Sequence, residues 1–287
     1  MTVSLNDTIL SILLITVLYY VLRISLDANN AKGLLLIPRT SRRHPAVHLT
    51  DLDFADDLAI PSDTVEDAES LLHALEKAAS YVGLYCNASK TEYTSSSSNP
   101  TMSTLAGNII KHVLDFKYLG SHTENSWKDF QIRKSLAWAT CNKMEKIWNS
   151  TLPNQLKINL FRATLELILL QGAETWTMNT QMQKRLDGCY TNLLRRVQNM
   201  SWKNHHTLAE IYGPIPKISM RLAEKRARFA GHCYRAKDEV VSDLVFWKAS
   251  SSRKLTFPDV ISRDTGIEVK ELPTAMEDRD CWREIVL

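Results

Sequence analysis

The chain has 287 residues, of which 44% are hydrophobic and 23% charged, and a formal net charge of +3. That size and balance fit a soluble globular protein of one large or two small domains. The five cysteines (Cys86, Cys141, Cys189, Cys233, Cys281) are scattered and odd in number. No pair has Cys-x-x-Cys spacing, and no Cys/His cluster matches a zinc site. The cysteines point to reduced thiols in an intracellular protein, nuclear or cytoplasmic, with no disulfide partner.

In chain order, the first element is an apolar run over residues 9–25. Only Ile9–Leu22 is uninterrupted before Arg23, and Asp7 rather than a basic residue precedes it. A membrane span needs about 20 apolar residues, and a signal peptide needs basic residues ahead of its core. The expectation is a helix over 8–25, buried in the fold, with membrane association as the alternative. Residues 26–45 read as a polar loop with a short strand, Leu34–Ile37, and a basic patch of Arg39, Arg42 and Arg43. Residues 46–60 alternate in the β manner around Asp56–Asp57, so they predict two strands joined by a tight acidic turn. Ser62-Asp63-Thr64 offers helix caps. Leu71, Leu72, Leu75, Ala78, Ala79 and Val82 then recur at helical spacing until Gly83. Leu84–Tyr93 reads as a strand carrying Asn87 and Lys90, residues 94–104 as a Ser/Thr-rich loop, and 108–113 and 114–119 as short strands closing at Gly120.

The pattern changes after Trp127. Helices are predicted over 128–149 (face Ile132, Leu136, Thr140, Met144, Ile147), 155–171, 180–199 (Met182, Leu186, Cys189, Leu193, Val197) and 216–236 (Ile218, Leu222, Phe229, Cys233). The Met and Cys positions on these stripes read as core, not as ligands. Charge follows the same division. Residues 128–237 carry 19 Lys/Arg against 7 Asp/Glu, whereas 1–127 carry 9 against 14 and 238–287 carry 7 against 11. A basic middle after an acidic first part suggests a nucleic-acid grip beside a metal site. Paired carboxylates at a hairpin tip repel each other and call for a hard cation such as Mg²⁺, the equipment of phosphoryl transfer. The adjacent His205–His206 cannot share a helix face and reads as loop.

Several motifs stand in a fixed order: Phe54-Ala55-Asp56-Asp57, Val82-Gly83-Leu84 with Asn87 and Lys90-Thr91-Glu92, and Phe116-Lys117-Tyr118-Leu119-Gly120. Ile132-Arg133-Lys134, Gly172-Ala173-Glu174-Thr175-Trp176 and Leu193-Leu194-Arg195-Arg196 come next. Arg263-Asp264-Thr265-Gly266 and Met276-Glu277-Asp278-Arg279-Asp280-Cys281-Trp282-Arg283 close the series. Together they resemble the reverse transcriptases of non-LTR (LINE-type) retrotransposons, of the endonuclease–reverse transcriptase type, over nearly the whole chain. No one motif is specific; the order carries the resemblance. The start departs from the family: Leu5-Asn6 stand where Gln-Gly is expected, and Ser11 where a Pro is usual.

The resemblance implies an α+β fold: a partial polymerase palm over 1–125 (a β-hairpin with packed helices), an all-helical, basic thumb over 126–248, and a helical tail over 249–287 after the loop Ala249–Arg253. It implies RNA-directed DNA synthesis with two Mg²⁺ ions, an RNA template, a DNA primer and deoxynucleoside triphosphates. Asp56 and Asp57 match two of the three metal-holding aspartates, Asp56 the better placed for direct contact, and Lys90 a proposed general acid. Phe116, Lys117, Tyr118, Leu119 and Gly120 match the primer grip. Arg195, Arg196, Lys203, Arg221, Lys225 and Arg228 are candidates to track phosphates. The third aspartate and the fingers belong upstream of the matched residues, and Asp51 and Asp53 are poor substitutes because they lead into the turn. The expectation is therefore a C-terminal fragment, inactive as a polymerase alone. A nucleic-acid-binding remnant without catalysis and a membrane-anchored helical protein are the alternatives.

Overall fold

The computed structural model describes residues 5–39, 41–43, 45–55, 57–96, 101–122, 125–236, 240–246 and 256–286. The chain is α+β and divides into two compact units, Met1–Thr123 and Glu124–Leu287. All eight short strands among the described residues lie in the first.

The first unit begins with α1 (Leu5–Leu26), followed by a 3₁₀ turn, Asp27–Lys32. β1 (Leu34–Ile37) pairs antiparallel with β2 (Val47–Leu49), and β3 (Leu52–Phe54) with β4 (Asp57–Ala59). The run 46–60 is thus shared between two hairpins rather than forming one. Two local features divide it. A Cβ on Gly33 would lie 2.5 Å from the Leu49 carbonyl oxygen, so only glycine lets the backbone before β1 close on β2. Asp51, between β2 and β3, accepts hydrogen bonds from the Thr50 hydroxyl (2.6 Å) and the Arg23 guanidinium (3.0 Å), which fixes the chain where it changes partner.

Helix α2 (Val65–Ser80) starts as the sequence predicts, with Thr64 Oγ1 accepting from the Asp67 amide at 3.1 Å. Leu71 packs with Leu22 and Leu26 of α1 and with Leu58 of β4, while Leu72 packs with Met102 and Ile110. Each buried leucine contributes about 1.5–3 kcal/mol, so α2 is the spine of this unit.

Helix α1 departs from the buried helix expected. Val21, Leu22 and Leu26 are buried, but Ile12, Leu13, Leu14, Tyr19, Tyr20 and Ile24 are exposed, and Ile15 is 51% exposed. The helix is apolar all round, with no polar face to turn outward, and its packed residues lie in its C-terminal turns. The segment Ile12–Lys32 is long and apolar enough to cross a membrane by length and composition.

The expected strand Leu84–Tyr93 shrinks to β5 (Glu92–Tyr93), which pairs parallel with β6 (Lys111–His112). Asn87 is the cause. Its side chain accepts from the Ser89 amide at 3.1 Å and its carbonyl from the Lys90 amide at 3.0 Å, folding 88–90 into a turn. β7 (Lys117–Tyr118) and β8 (Ser121–His122) form a last hairpin.

The second unit is built from α3 (Ser126–Lys143), α4 (Glu145–Trp148) and α5 (Asn154–Phe161), which runs through a π-helical turn (Arg162–Glu166) into α6 (Leu167–Leu169). Then come α7 (Thr180–Val197), α8 (Leu208–Tyr212), α9 (Ile218–Arg235), α10 (Val240–Val245), α11 (Phe257–Thr265), α12 (Leu272–Glu277) and α13 (Arg279–Val286). The α7 stripe Met182, Leu186, Cys189, Leu193 and Val197 is buried against Phe130, Phe161, Leu165 and Leu222. Helix α3 buries a face different from the expected one: Phe130, Arg133, Ala137 and Cys141 point in, whereas Leu136 is 47% exposed. The inward face carries polar residues with dedicated partners. Asp129 accepts from the Trp176 indole (2.8 Å), and Arg133 donates to the Gln171 side chain (2.7 Å). A second cluster joins the end of α9 to α11–α13, where the Trp282 indole donates to the Ala227 carbonyl at 2.9 Å. The expected separating loop Ala249–Arg253 lies outside the described residues.

Candidate metal hairpin and nucleic-acid interface

Asp56 lies outside the described residues; Asp57 opens β4 and is exposed. Ala55, entering the turn, has φ 56°, a left-handed conformation that a two-residue hairpin turn imposes and alanine disfavours. The register sets Phe54 opposite Asp57 and Asp53 opposite Leu58. Directly opposed residues share a face and neighbours in a strand alternate, so Asp53 and Asp57 stand on opposite faces of the hairpin. Asp51 is committed to Arg23. Among the described residues no group of three His, Cys, Asp or Glu side chains converges as a metal site.

The motif Phe116–Gly120 forms the β7–β8 hairpin. Leu119 (φ 47°) and Gly120 (φ 81°) make its turn, and two positive φ values are the mark of the tight hairpin type whose twist matches its strands. The Tyr118 hydroxyl donates to the Leu52 carbonyl of β3 at 3.0 Å across 66 residues of sequence. Burial, and then the negative charges of Asp53 and Asp57, push the Tyr118 phenol above the usual tyrosine range. The two hairpins singled out from sequence therefore meet, with Tyr118 against the acidic one. Lys90 is exposed on its turn, and among the described residues no hydrogen bond or ion pair ties its side chain to either hairpin.

In the helical unit, four of the six candidate cations have carboxylate partners: Arg196 with Glu145 (2.5 Å), Arg221 with Glu166, Lys225 with Glu174 (2.6 Å) and Arg228 with Glu224 (2.5 Å). Exposed pairs are worth about 0–1 kcal/mol, so a phosphate can compete for Arg196, Lys225 or Arg228. Arg221 differs. Glu166 is buried and also accepts from the Tyr190 hydroxyl at 2.7 Å, and burial and then that carboxylate hold the phenol far above its usual range. Arg221 is the counter-ion of this buried group and belongs to the core. Arg195 reaches the His206 carbonyl at 3.3 Å, and Lys203 is exposed. A shallow depression lined by Leu167, Ile168, Gln171, Gly172, Glu174 and Lys225 has its two charges paired with each other.

Sequence reasoning missed these carboxylate partners. The Glu224–Arg228 spacing could have shown one of them; the others come from distant segments. It also missed Arg226, buried on α9 and paired with Asp264 at 2.6 Å, which ties the Arg263–Gly266 motif to the helical core.

No family model matches the chain, and no solved structure matches it. It is similar to a transposon-derived protein of Caenorhabditis elegans, with 23% identity over 210 residues, covering 67% of this chain and 74% of that protein.

Proposed function

We propose that the chain derives from a transposon-encoded reverse transcriptase of the non-LTR type, keeps a palm-like first unit and a thumb-like helical unit, and acts by holding nucleic acid rather than extending it. One observation carries the proposal: the Tyr118–Leu52 hydrogen bond sets the primer-grip-like hairpin against the acidic hairpin, as a palm that seats a primer end beside its metals requires. The likeness to a transposon-derived nematode protein supports the origin. With Asp56 outside the described residues, the remaining carboxylates do not by themselves make a two-Mg²⁺ centre. Asp57 has no second described carboxylate on its face, Asp51 is engaged by Arg23, and Asp53 faces away. What remains is the exposed Asp57, a tight hairpin beside its strand, and a basic helical unit for RNA template and DNA primer.

The test measures an RNA–DNA template–primer against the full chain, by binding and by primer extension with Mg²⁺. The expected result is binding that weakens steeply with salt, without nucleotide incorporation. Incorporation abolished by Asp57→Asn would overturn the non-catalytic role; absence of binding at low salt would overturn the whole proposal.

The exposed apolar turns of α1 favour a second reading, a membrane-associated protein. Flotation of the full chain with phosphatidylcholine vesicles, lost on Leu13→Gln/Leu14→Gln, would support it; a chain that stays unbound would remove it.

A further inference from the structure

Helices α3 and α7 together carry eight Lys/Arg and two Asp. Both aspartates are withdrawn from the surface. Asp129 is 1% exposed and bonded to Trp176. Asp187 accepts from the Ser219 amide (3.1 Å) and hydroxyl (2.9 Å). Of the cations, Arg133 is buried, Arg195 reaches the His206 carbonyl and Arg196 pairs with Glu145, whereas Lys184 and Arg185 are exposed, Lys134 is half-buried, and no carboxylate pairs with these three among the described residues.

The two helices run side by side in the same direction. Trp127 lies under Arg185, with the guanidinium carbon 5.9 Å from the indole centroid. Lys134 stands two turns further along α3, and just past the end of α3 Arg196 of α7 pairs with Glu145 at 2.5 Å. The seam between α3 and α7 is therefore headed by Arg185 and ends near the Arg196–Glu145 pair. From Trp127 to Cys141 it runs about 21 Å at 1.5 Å per residue. Trp127 sits at its open end, 36% exposed and steadied from beneath by Phe130 at 5.8 Å between ring centroids. A flat aromatic beside Lys184 and Arg185, cations with no carboxylate partner among the described residues, matches the pattern that binds single strands: cations follow the backbone, and the indole takes an unstacked base when Arg185 swings from its face to a phosphate.

We propose that the α3–α7 seam is a single-stranded nucleic-acid track of about six nucleotides at roughly 3.4 Å stacked spacing, with Trp127 as the base-stacking platform and Lys134, Lys184 and Arg185 on the phosphates. It rests on the reading of the helical unit as nucleic-acid binding but assigns that binding to a face other than the Arg221–Lys225–Arg228 side of α9. A duplex keeps its bases stacked and cannot use Trp127, so single strands bind better.

The experiment follows fluorescence anisotropy of fluorescein-labelled oligo(dT) and oligo(U) 20-mers and of a 20-base-pair duplex, across a salt series, with the full chain. Trp127→Ala is expected to weaken single-strand binding about tenfold, Trp127→Phe to recover most of it, and neither to change duplex binding. Lys184→Gln/Arg185→Gln, which leaves the core untouched, is expected to lower the salt slope by about 1.4 for a single strand. Lys270→Gln, a single-charge control outside both helices, is expected to lower it by less than half of the roughly 0.7 expected per phosphate contact. Far-UV circular dichroism checks that each variant is folded. If single-strand binding survives the Trp127 and Lys184/Arg185 changes but falls on Lys225→Gln/Arg228→Gln, the track is wrong while the nucleic-acid reading stands. If the wild-type chain binds none of the probes, both fall.

Discussion

Arg221 separates structural from binding roles most sharply. Arg221→Met leaves Glu166 with its Tyr190 hydrogen bond but without its counter-charge, in a site where the carboxylate is almost wholly buried. Removing one partner of a buried pair costs about 3–5 kcal/mol. Arg221 keeps some solvent contact, which favours the lower end, about 3 kcal/mol. In a unit of this size each kcal/mol moves Tm by about 2–4 °C, so a drop of roughly 6–12 °C is expected by circular dichroism or calorimetry. Glu166→Gln in the same background removes the stranded charge but keeps an acceptor for Tyr190, and is expected to restore about 2 kcal/mol. Folded Arg221→Met protein, measured well below its Tm, is expected to bind oligonucleotides with an unchanged salt slope. A variant with unaltered Tm and a slope reduced by one phosphate would refute the argument and return Arg221 to the nucleic-acid surface.

Three other outcomes are expected from the fold. Tyr118→Phe removes the bond between the two hairpins and is expected to cost about 1 kcal/mol in urea titrations; faster amide exchange at both hairpin turns would accompany it, and unchanged exchange would show that the link does not hold them. A Cβ at Gly231 would come within 2.4 Å of the Trp282 indole nitrogen, so Gly231→Ala is expected to lose about 1–3 kcal/mol through overpacking and the displaced Trp282–Ala227 bond, despite the helix preference of alanine; a neutral or stabilised variant would contradict the docking of α13. Cys86 and Cys281 are exposed while Cys141, Cys189 and Cys233 are buried, and burial raises the thiols of Cys141 and Cys189 above the usual range. Because a raised pKa keeps a thiol protonated, titration with a chromogenic disulfide at pH 8 is expected to give two fast thiols and three that react only on unfolding.

The elements that the sequence made legible are those whose signal is local. Thr64 announces its helix because its hydroxyl caps an amide three residues away. The α7 stripe is readable because every inward position is apolar. Helix α3 misleads because Asp129 and Arg133 look solvated, and the groups that satisfy them come from about 40 residues downstream. The strand expected over Leu84–Tyr93 is lost to one asparagine whose side chain competes with the ladder. At the candidate site the same limit applies. The tight turn at Leu119–Gly120 is written in the motif, but the contact of Tyr118 with β3 spans 66 residues, and the acids that occupy Arg196, Arg221 and Lys225 stand 51 to 55 residues away on other helices. Charge excess could be counted; which charges remain available could not.

The π-helical turn at Arg162–Glu166 acts as a phase shifter. It adds one residue to a revolution, so the residues beyond it are rotated by about 100° relative to an uninterrupted α-helix. Phe161 before the turn, Leu165 and Glu166 within it, and Leu169 and Leu170 after it all reach the interior. Helix length and helix register are thereby uncoupled at this point. Deleting a single residue here would straighten the helix yet swing Glu166 away from Tyr190 and Arg221, whereas the same deletion in a surface loop would disturb only its neighbours. This part of the chain accepts changes of side chain far more readily than changes of length.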